Sequence, residues 1–156
     1  MRIHVLEREQ WLPVPPSEAW SFFSSPRDLG RITPPEMRFV IHPPFNDEPV
    51  FKGQRIRYTV RPLFGIPLQW ETLISEVDEP RSFTDEQSKG PYALWRHTHT
   101  FTPKDAGTLV HDKVEYALPL GPLGALAHVV LVKRKVEAIF DYRKTALEHI
   151  FGTQAA

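Results

Sequence analysis

The C-terminal quarter of the chain constrains the fold most. After Leu118-Pro-Leu-Gly-Pro122, apolar residues recur at spacings of three and four: Leu126, Val129, Val132, Val136, Ile139, Phe140, Leu147 and Ile150. Charged residues cluster between them, at Lys133-Arg134-Lys135, Asp141, Arg143-Lys144 and Glu148. This is the pattern of an amphipathic helix of roughly seven or eight turns. In a chain of 156 residues a helix that long exceeds one packing unit. It must lie across whatever the preceding residues build.

Those residues read mostly as strands. Ala93–Tyr116 is a long hairpin around the turn signal Pro-Lys-Asp-Ala-Gly. Side chains alternate between the faces of a strand, so Trp95, His97, His99 and Phe101 share one face, as do Val110, Asp112, Val114 and Tyr116. Each is the more apolar face of its strand, and we place both inside. If Phe101 opposes Val110, then His99 opposes Asp112 and Trp95 opposes Tyr116. Upstream, Gln54–Arg61 alternates Ile56, Tyr58 and Val60 against three arginines. Leu68–Val77 sets Trp70, Thr72 and Ile74 inward, and Ser82–Ser88 puts Phe83, Asp85 and Gln87 on one face. Met37–His42 reads as a further strand. His4–Leu12 reads as a strand with no clear inner face.

Between the first strand and these lie two short helices. One is Ser17–Ser24, with Ser17 a candidate cap and Trp20 and Phe23 turned to the core. The other is Pro26–Ile32, closed by Pro34-Pro35. The expectation is therefore one α+β domain over residues 1–156. A curved antiparallel sheet would wrap a long C-terminal helix, with two short helices after the first strand. A curved sheet and a cylinder do not fill the space between them, which leaves a cavity or a cleft.

The segments FTDEQSKGPYALWRHTHTF (83–101) and GTLVHDKVEYALPLGPLG (107–124) carry a family resemblance. They resemble a bacterial single-domain, polyketide cyclase/dehydrase-like group within the START and birch-pollen-allergen superfamily (SRPBCC). The resemblance covers essentially the whole chain. It implies the helix-grip fold and a ligand cavity, and it carries over no catalytic residue.

Composition narrows the function. Lys plus Arg equals Asp plus Glu at 19 each, so net charge supports neither nucleic acid nor an anionic membrane as a partner. There is no cysteine, which excludes disulfides, thiol nucleophiles and thiolate metal sites. The charged start MRIHVLEREQW lacks the apolar run of a signal peptide. The longest apolar run, Ala117–Val132, is short for a bilayer span and is broken by prolines, glycines and a histidine. We expect a cytoplasmic protein. No phosphate loop, dinucleotide fingerprint or Ser-His-Asp motif occurs, and we expect no cofactor.

The candidate site is the inward polar group His97, His99 and Asp112, with Asp85 and Gln87 on the neighbouring strand. A carboxylate opposite an imidazole fixes its tautomer and makes a general base or a ligand anchor. The same pair can equally be a buried strand clamp. His97-x-His99 with Asp112 or Asp85 also has the donor types of a metal site, but two histidines two apart on a strand are common, and we assign no metal. Tyr58, Trp70, Trp95 and Tyr116 complete the candidate ligand-binding set. With so many polar groups on the inner face, we expect the His99–Asp112 pair to face a wet cavity. Asp112→Asn should then cost less than about 2 kcal/mol. The outward arginines Arg55, Arg57 and Arg61 with Glu71 are read as a solvated, salt-paired face. Pro119–Leu126 has more apolar residues than a loop needs. It fits helix-entry packing, a mobile lid or a homodimer contact.

The leading functional expectation is a binding protein for a small hydrophobic or amphipathic molecule. The first alternative is a cyclase, aromatase or dehydratase with His97 or His99 as base and Asp112 orienting it. The second is a regulatory interaction module.

Overall fold

A computed structural model describes residues 1–154. Strand β1 (His4–Leu12) leads through Pro13–Pro15 into helix α1 (Pro16–Phe23). Two 3₁₀ segments follow, Pro26–Ile32 and Pro35–Met37. Six further strands come next: β2 (Val40–Ile41), β3 (Arg55–Val60), β4 (Leu68–Asp78), β5 (Ser82–Lys89), β6 (Leu94–Lys104) and β7 (Gly107–Ala117). The chain then enters one long helical run: α2 (Gly121–Ala127), a π turn (His128–Val132) and α3 (Lys133–Phe151). All seven strands form one antiparallel sheet in the order β1-β7-β6-β5-β4-β3-β2, curved around the C-terminal helix. This is the expected helix-grip architecture.

The β6–β7 register is the expected one: Phe101 opposes Val110, His99 opposes Asp112 and Trp95 opposes Tyr116. The turn explains it. Asp105 and Ala106 both take positive φ, at 49° and 61°, the geometry of a tight two-residue hairpin loop. Gly107 follows because a Cβ there would meet the Leu12 carbonyl oxygen and the Trp11 ring on β1. On β1 the inner residues are His4, Leu6, Arg8, Gln10 and Leu12, which resolves the face that sequence left open. Gln10 Nε2 donates to the Lys144 carbonyl at 3.0 Å and ties this strand to α3.

Several sequence expectations need correction. Ser17 does not cap α1; Pro15 holds the cap position, with proline again at the first helical residue, where its missing N–H costs nothing. In that helix Trp20 and Phe22 are buried, and Phe23, half-buried, packs against the same core as expected, its ring 5.3 Å from that of Phe101. The strand expected over Met37–His42 shrinks to Val40–Ile41, because Pro35–Met37 is still helical and Arg38 turns left-handed. Leu126 and Val129, expected inside, are 61% and 73% exposed. The π turn is the cause: it inserts one extra residue into the helix and rotates everything upstream about the axis. The buried positions there are Gly124 and His128. His128 is anchored at 2.8 Å by the Tyr116 hydroxyl and stacks on His4 at 3.4 Å between ring centroids. Leu120, Leu123 and Val130 are exposed with Leu126 and Val129.

The interior is layered. One apolar cluster joins Leu12, Trp20, Phe22, Phe83, Phe101, Val110 and Leu147. A second joins Val114, Tyr116, Val136 and Phe140. Between them, at one level, β6 contributes His97 and His99, β7 contributes Asp112, and α3 contributes Arg143, all four buried. Three elements thus change from apolar to polar and back at the same height. Buried polar atoms are costly unless paired, so such a layer has to pair within itself.

Candidate functional site

A cavity of about 270 Å³ lies between the sheet and the C-terminal helix. Strands β3 and β4 give it Ile56, Tyr58, Val60, Leu68, Trp70, Thr72 and Ile74. The helix gives Val132, Lys135, Ile139, Phe140 and Arg143; the 3₁₀ segments give Leu29 and Met37. Phe83 and Asp85 come from β5, and Trp95, His97 and His99 from β6. Most of the wall is apolar and aromatic. Trp70 stacks along Tyr58 at 6.1 Å and meets Trp95 edge-on at 5.5 Å. Two polar edges of this aromatic wall are paired: Trp70 Nε1 donates to Thr72 Oγ1 at 3.1 Å, and the Tyr58 hydroxyl lies 3.2 Å from the same oxygen.

The polar layer supplies the remaining wall. The two imidazoles stack with centroids 3.7 Å apart. Their carboxylate partners are crossed relative to the register. His97 Nε2 lies 2.7 Å from Asp112 Oδ1, and His99 Nε2 lies 2.6 Å from Asp85 Oδ2. The expected His99–Asp112 pair is therefore corrected: they face one another across the ladder, but His99 Nδ1 stops 3.5 Å from Asp112 Oδ1 without a hydrogen bond. Side chains lean along a strand, so each ring reaches the diagonal carboxylate. Arg143 Nη1 approaches the same Asp112 oxygen at 3.5 Å, with its guanidinium over the Phe140 ring at 4.7 Å.

Burial and pairing set the charges. Burial pushes the His97 imidazolium down, helped by the charge of His99 and opposed by the Asp112 hydrogen bond; its pKa falls to about 4. His97 is thus neutral at pH 7 and donates Nε2–H to Asp112. Burial alone would raise the Asp112 carboxyl. The His97 hydrogen bond, with the nearby guanidinium charge of Arg143, outweighs it and holds Asp112 well below the usual range. Asp85 is also lowered: burial opposes ionisation, and the His99 hydrogen bond with the neighbouring charges overcomes it.

Of the residues singled out from sequence, Tyr58, Trp70, Asp85, Trp95, His97 and His99 meet on the cavity wall. Three others are placed elsewhere. Asp112 lies behind the imidazoles, Tyr116 anchors the π turn, and Gln87 pairs both amide atoms with the Tyr92 backbone at 2.8 and 3.0 Å. Arg143 was missed and set among the outward charges. A signal existed: it is three residues after Phe140 and four before Leu147, on the apolar stripe. The outward face is as expected where it pairs, with Arg55 bridging to Glu71 at 3.0 Å. Among the described residues no helix is long and apolar enough to cross a membrane.

A family model described as "Domain of unknown function (DUF8410)" matches residues 11–151. No curated protein matches the chain. Solved structures match along nearly its whole length. A START superfamily protein from Mycobacterium smegmatis is 16% identical, with 95% of this chain and 97% of that chain covered and a TM-score of 0.70. Ara h 8.0201 is 20% identical, covering 95% and 99%, with a TM-score of 0.62. A norcoclaurine synthase point mutant from Thalictrum flavum, in complex with a transition-state analogue, is 16% identical, covering 96% and 97%, with a TM-score of 0.65. At these identities the likeness is one of fold, the helix grip.

Proposed function

Because the chain belongs to the DUF8410 family and folds as a helix grip, we propose that it binds a small amphipathic molecule in the cavity between its sheet and its C-terminal helix. The carrying observation is the asymmetry of the cavity wall. Trp70, Trp95, Tyr58 and the aliphatic side chains take an apolar body, and Asp85, His97, His99 and Arg143 take one polar end. Apolar walls with a few convergent polar groups are the usual form of a small-molecule site. Size limits the ligand. A volume of about 270 Å³ sits at the foot of the usual range of about 300–1,000 Å³. It suits a one- or two-ring compound or a short chain rather than a two-chain lipid.

The enzyme alternative would use His97 or His99 as a base. The depressed His97 disfavours that ring, since a general base works best with a pKa near the working pH, and about 4 is far below it. The open, lined cavity also favours binding over a purely structural interaction module.

The test is titration with an anilinonaphthalene dye, whose fluorescence rises in apolar surroundings. One dye should bind per folded chain, be displaced by one- and two-ring alcohols or amines better than by long-chain fatty acids, and bind more weakly to Trp70→Ala. A folded sample that takes up neither the dye nor any competitor overturns the reading.

A further inference from the structure

We propose that Asp85, His97 and His99 form a site for one first-row divalent transition-metal ion on the polar wall of the cavity. One possible ligand atom from each residue lies within 4.8 Å of the other two. Bonds of about 2.0–2.2 Å would bring such atoms to separations of roughly 3.3 Å, so binding asks the three side chains to close by at most about 1.5 Å. Two imidazoles and one carboxylate suit ions such as zinc, cobalt or ferrous iron, whereas magnesium and calcium call for oxygen donors.

The groups behind the three residues support this assignment. Asp112 accepts the Nε2–H of His97 at 2.7 Å, which leaves the Nδ1 lone pair of that ring for an ion. The same carboxylate oxygen stands 3.5 Å from His99 Nδ1, a buried nitrogen with no hydrogen-bond partner. If His99 gives its Nε2 to the ion, in place of its present 2.6 Å contact with Asp85, its Nδ1–H acquires Asp112 as acceptor. One carboxylate then orients both imidazoles, the arrangement that fixes the tautomer of metal-binding histidines. Arg143 holds Asp112 from the helix side at 3.5 Å. Within the buried layer charge agrees: with both rings neutral, as ligation requires, Asp85 and Asp112 face one guanidinium, that of Arg143, while Lys135 on the cavity wall is exposed to solvent. Three protein ligands leave the remaining coordination positions toward the cavity, where the polar end of a bound molecule would sit.

The test uses the full chain stripped with a chelator, then titrated with Co²⁺ by visible absorption and with Zn²⁺ by calorimetry. The expected result is one ion per chain, Co²⁺ displaced by Zn²⁺, and a melting temperature that rises with ion concentration. His97→Gln and His99→Gln should abolish the site, and Asp112→Asn should weaken it about 10–100-fold by loosening both rings. Asp85→Asn is the fold-sparing variant, because its side chain is partly open to the cavity; it should fold by near-UV circular dichroism and still lose the ion. His4→Gln should bind normally. No stoichiometric uptake, or uptake kept in folded Asp85→Asn and His99→Gln, overturns the proposal; loss in His4→Gln would place the ion elsewhere and overturns it too. Dye titration of the same metal-free sample separates this inference from the ligand-binding reading: dye uptake without metal uptake overturns the metal site alone.

Discussion

Replacing Asp112 by Asn tests whether the polar layer is dry or wet. Asp112 is 7% exposed and lies off the cavity wall, and its Oδ1 faces His97 at 2.7 Å, Arg143 at 3.5 Å and His99 at 3.5 Å. Asn keeps the shape and can still accept from His97. It removes the charge opposite a buried guanidinium, whose Nε already lacks a partner. Losing one member of a buried ion pair costs about 3–5 kcal/mol. That replaces the loss of under about 2 kcal/mol expected from sequence, which assumed that water reaches the carboxylate. Asp85→Asn is the internal control. Its carboxylate is on the cavity wall, with a side chain 19% exposed, so water can take up part of the lost interaction and the cost should stay below about 2 kcal/mol. The assay is urea unfolding at pH 7 with chelator present. At an m-value of about 2 kcal/mol/M, Asp112→Asn should lower the midpoint by about 2 M, at least twice the shift of Asp85→Asn. Adding Arg143→Met to Asp112→Asn should recover part of the loss, since the stranded charge goes with it. If Asp112→Asn costs no more than Asp85→Asn, the layer is hydrated throughout and the reasoning fails.

Three further outcomes follow from the same geometry. His97 has a folded pKa of about 4 against about 6.5 unfolded, so the unfolded chain takes a proton that the folded one refuses. Its contribution is fully present above pH 6.5 and is lost as pH falls toward 4, roughly 3 kcal/mol in all. Urea midpoints of metal-free wild type should therefore fall faster over that window than those of His97→Gln, and parallel curves would show that His97 titrates normally. Leu126→Gln and Val129→Gln should change stability by no more than about 0.5 kcal/mol, while Leu147→Ala should cost about 2–5 kcal/mol in the same unfolding assay; a large loss at 126 or 129 would place the upstream helix face wrongly. Gly107→Ala should lower the melting temperature by the equivalent of about 1–3 kcal/mol, because its Cβ would lie 2.6 Å from the Trp11 ring, and an unchanged melting curve would contradict that close approach.

What the sequence made legible, and what it hid, follows from the range over which each feature is specified. The β6–β7 register could be read because a two-residue turn fixes it locally, and period-two alternation then assigns every inner residue. The crossed bonding of His97 to Asp112 and of His99 to Asp85 could not, because it depends on a third strand and on the lean of the side chains. Arg143 hid for a related reason. A charged residue beside Lys144 looks solvated until Asp112, 31 residues away, is known to lie at the same level. The π turn is the deepest of these. The residues that turn inward, Gly124, His128, Val132, Val136 and Phe140, stand four apart throughout. In an ideal α-helix each step of four drifts about 40°, so a ladder of four such steps would wind roughly 160° around the cylinder and leave the sheet. Only an inserted residue returns the drift, and it falls at His128–Val132. The ladder of fours was therefore the mark of the π turn in the sequence. Reading Leu126 and Val129 as buried followed from assuming one uninterrupted α-helical period. His128, which that period leaves outside, is the residue whose bond to Tyr116 holds the insertion in place.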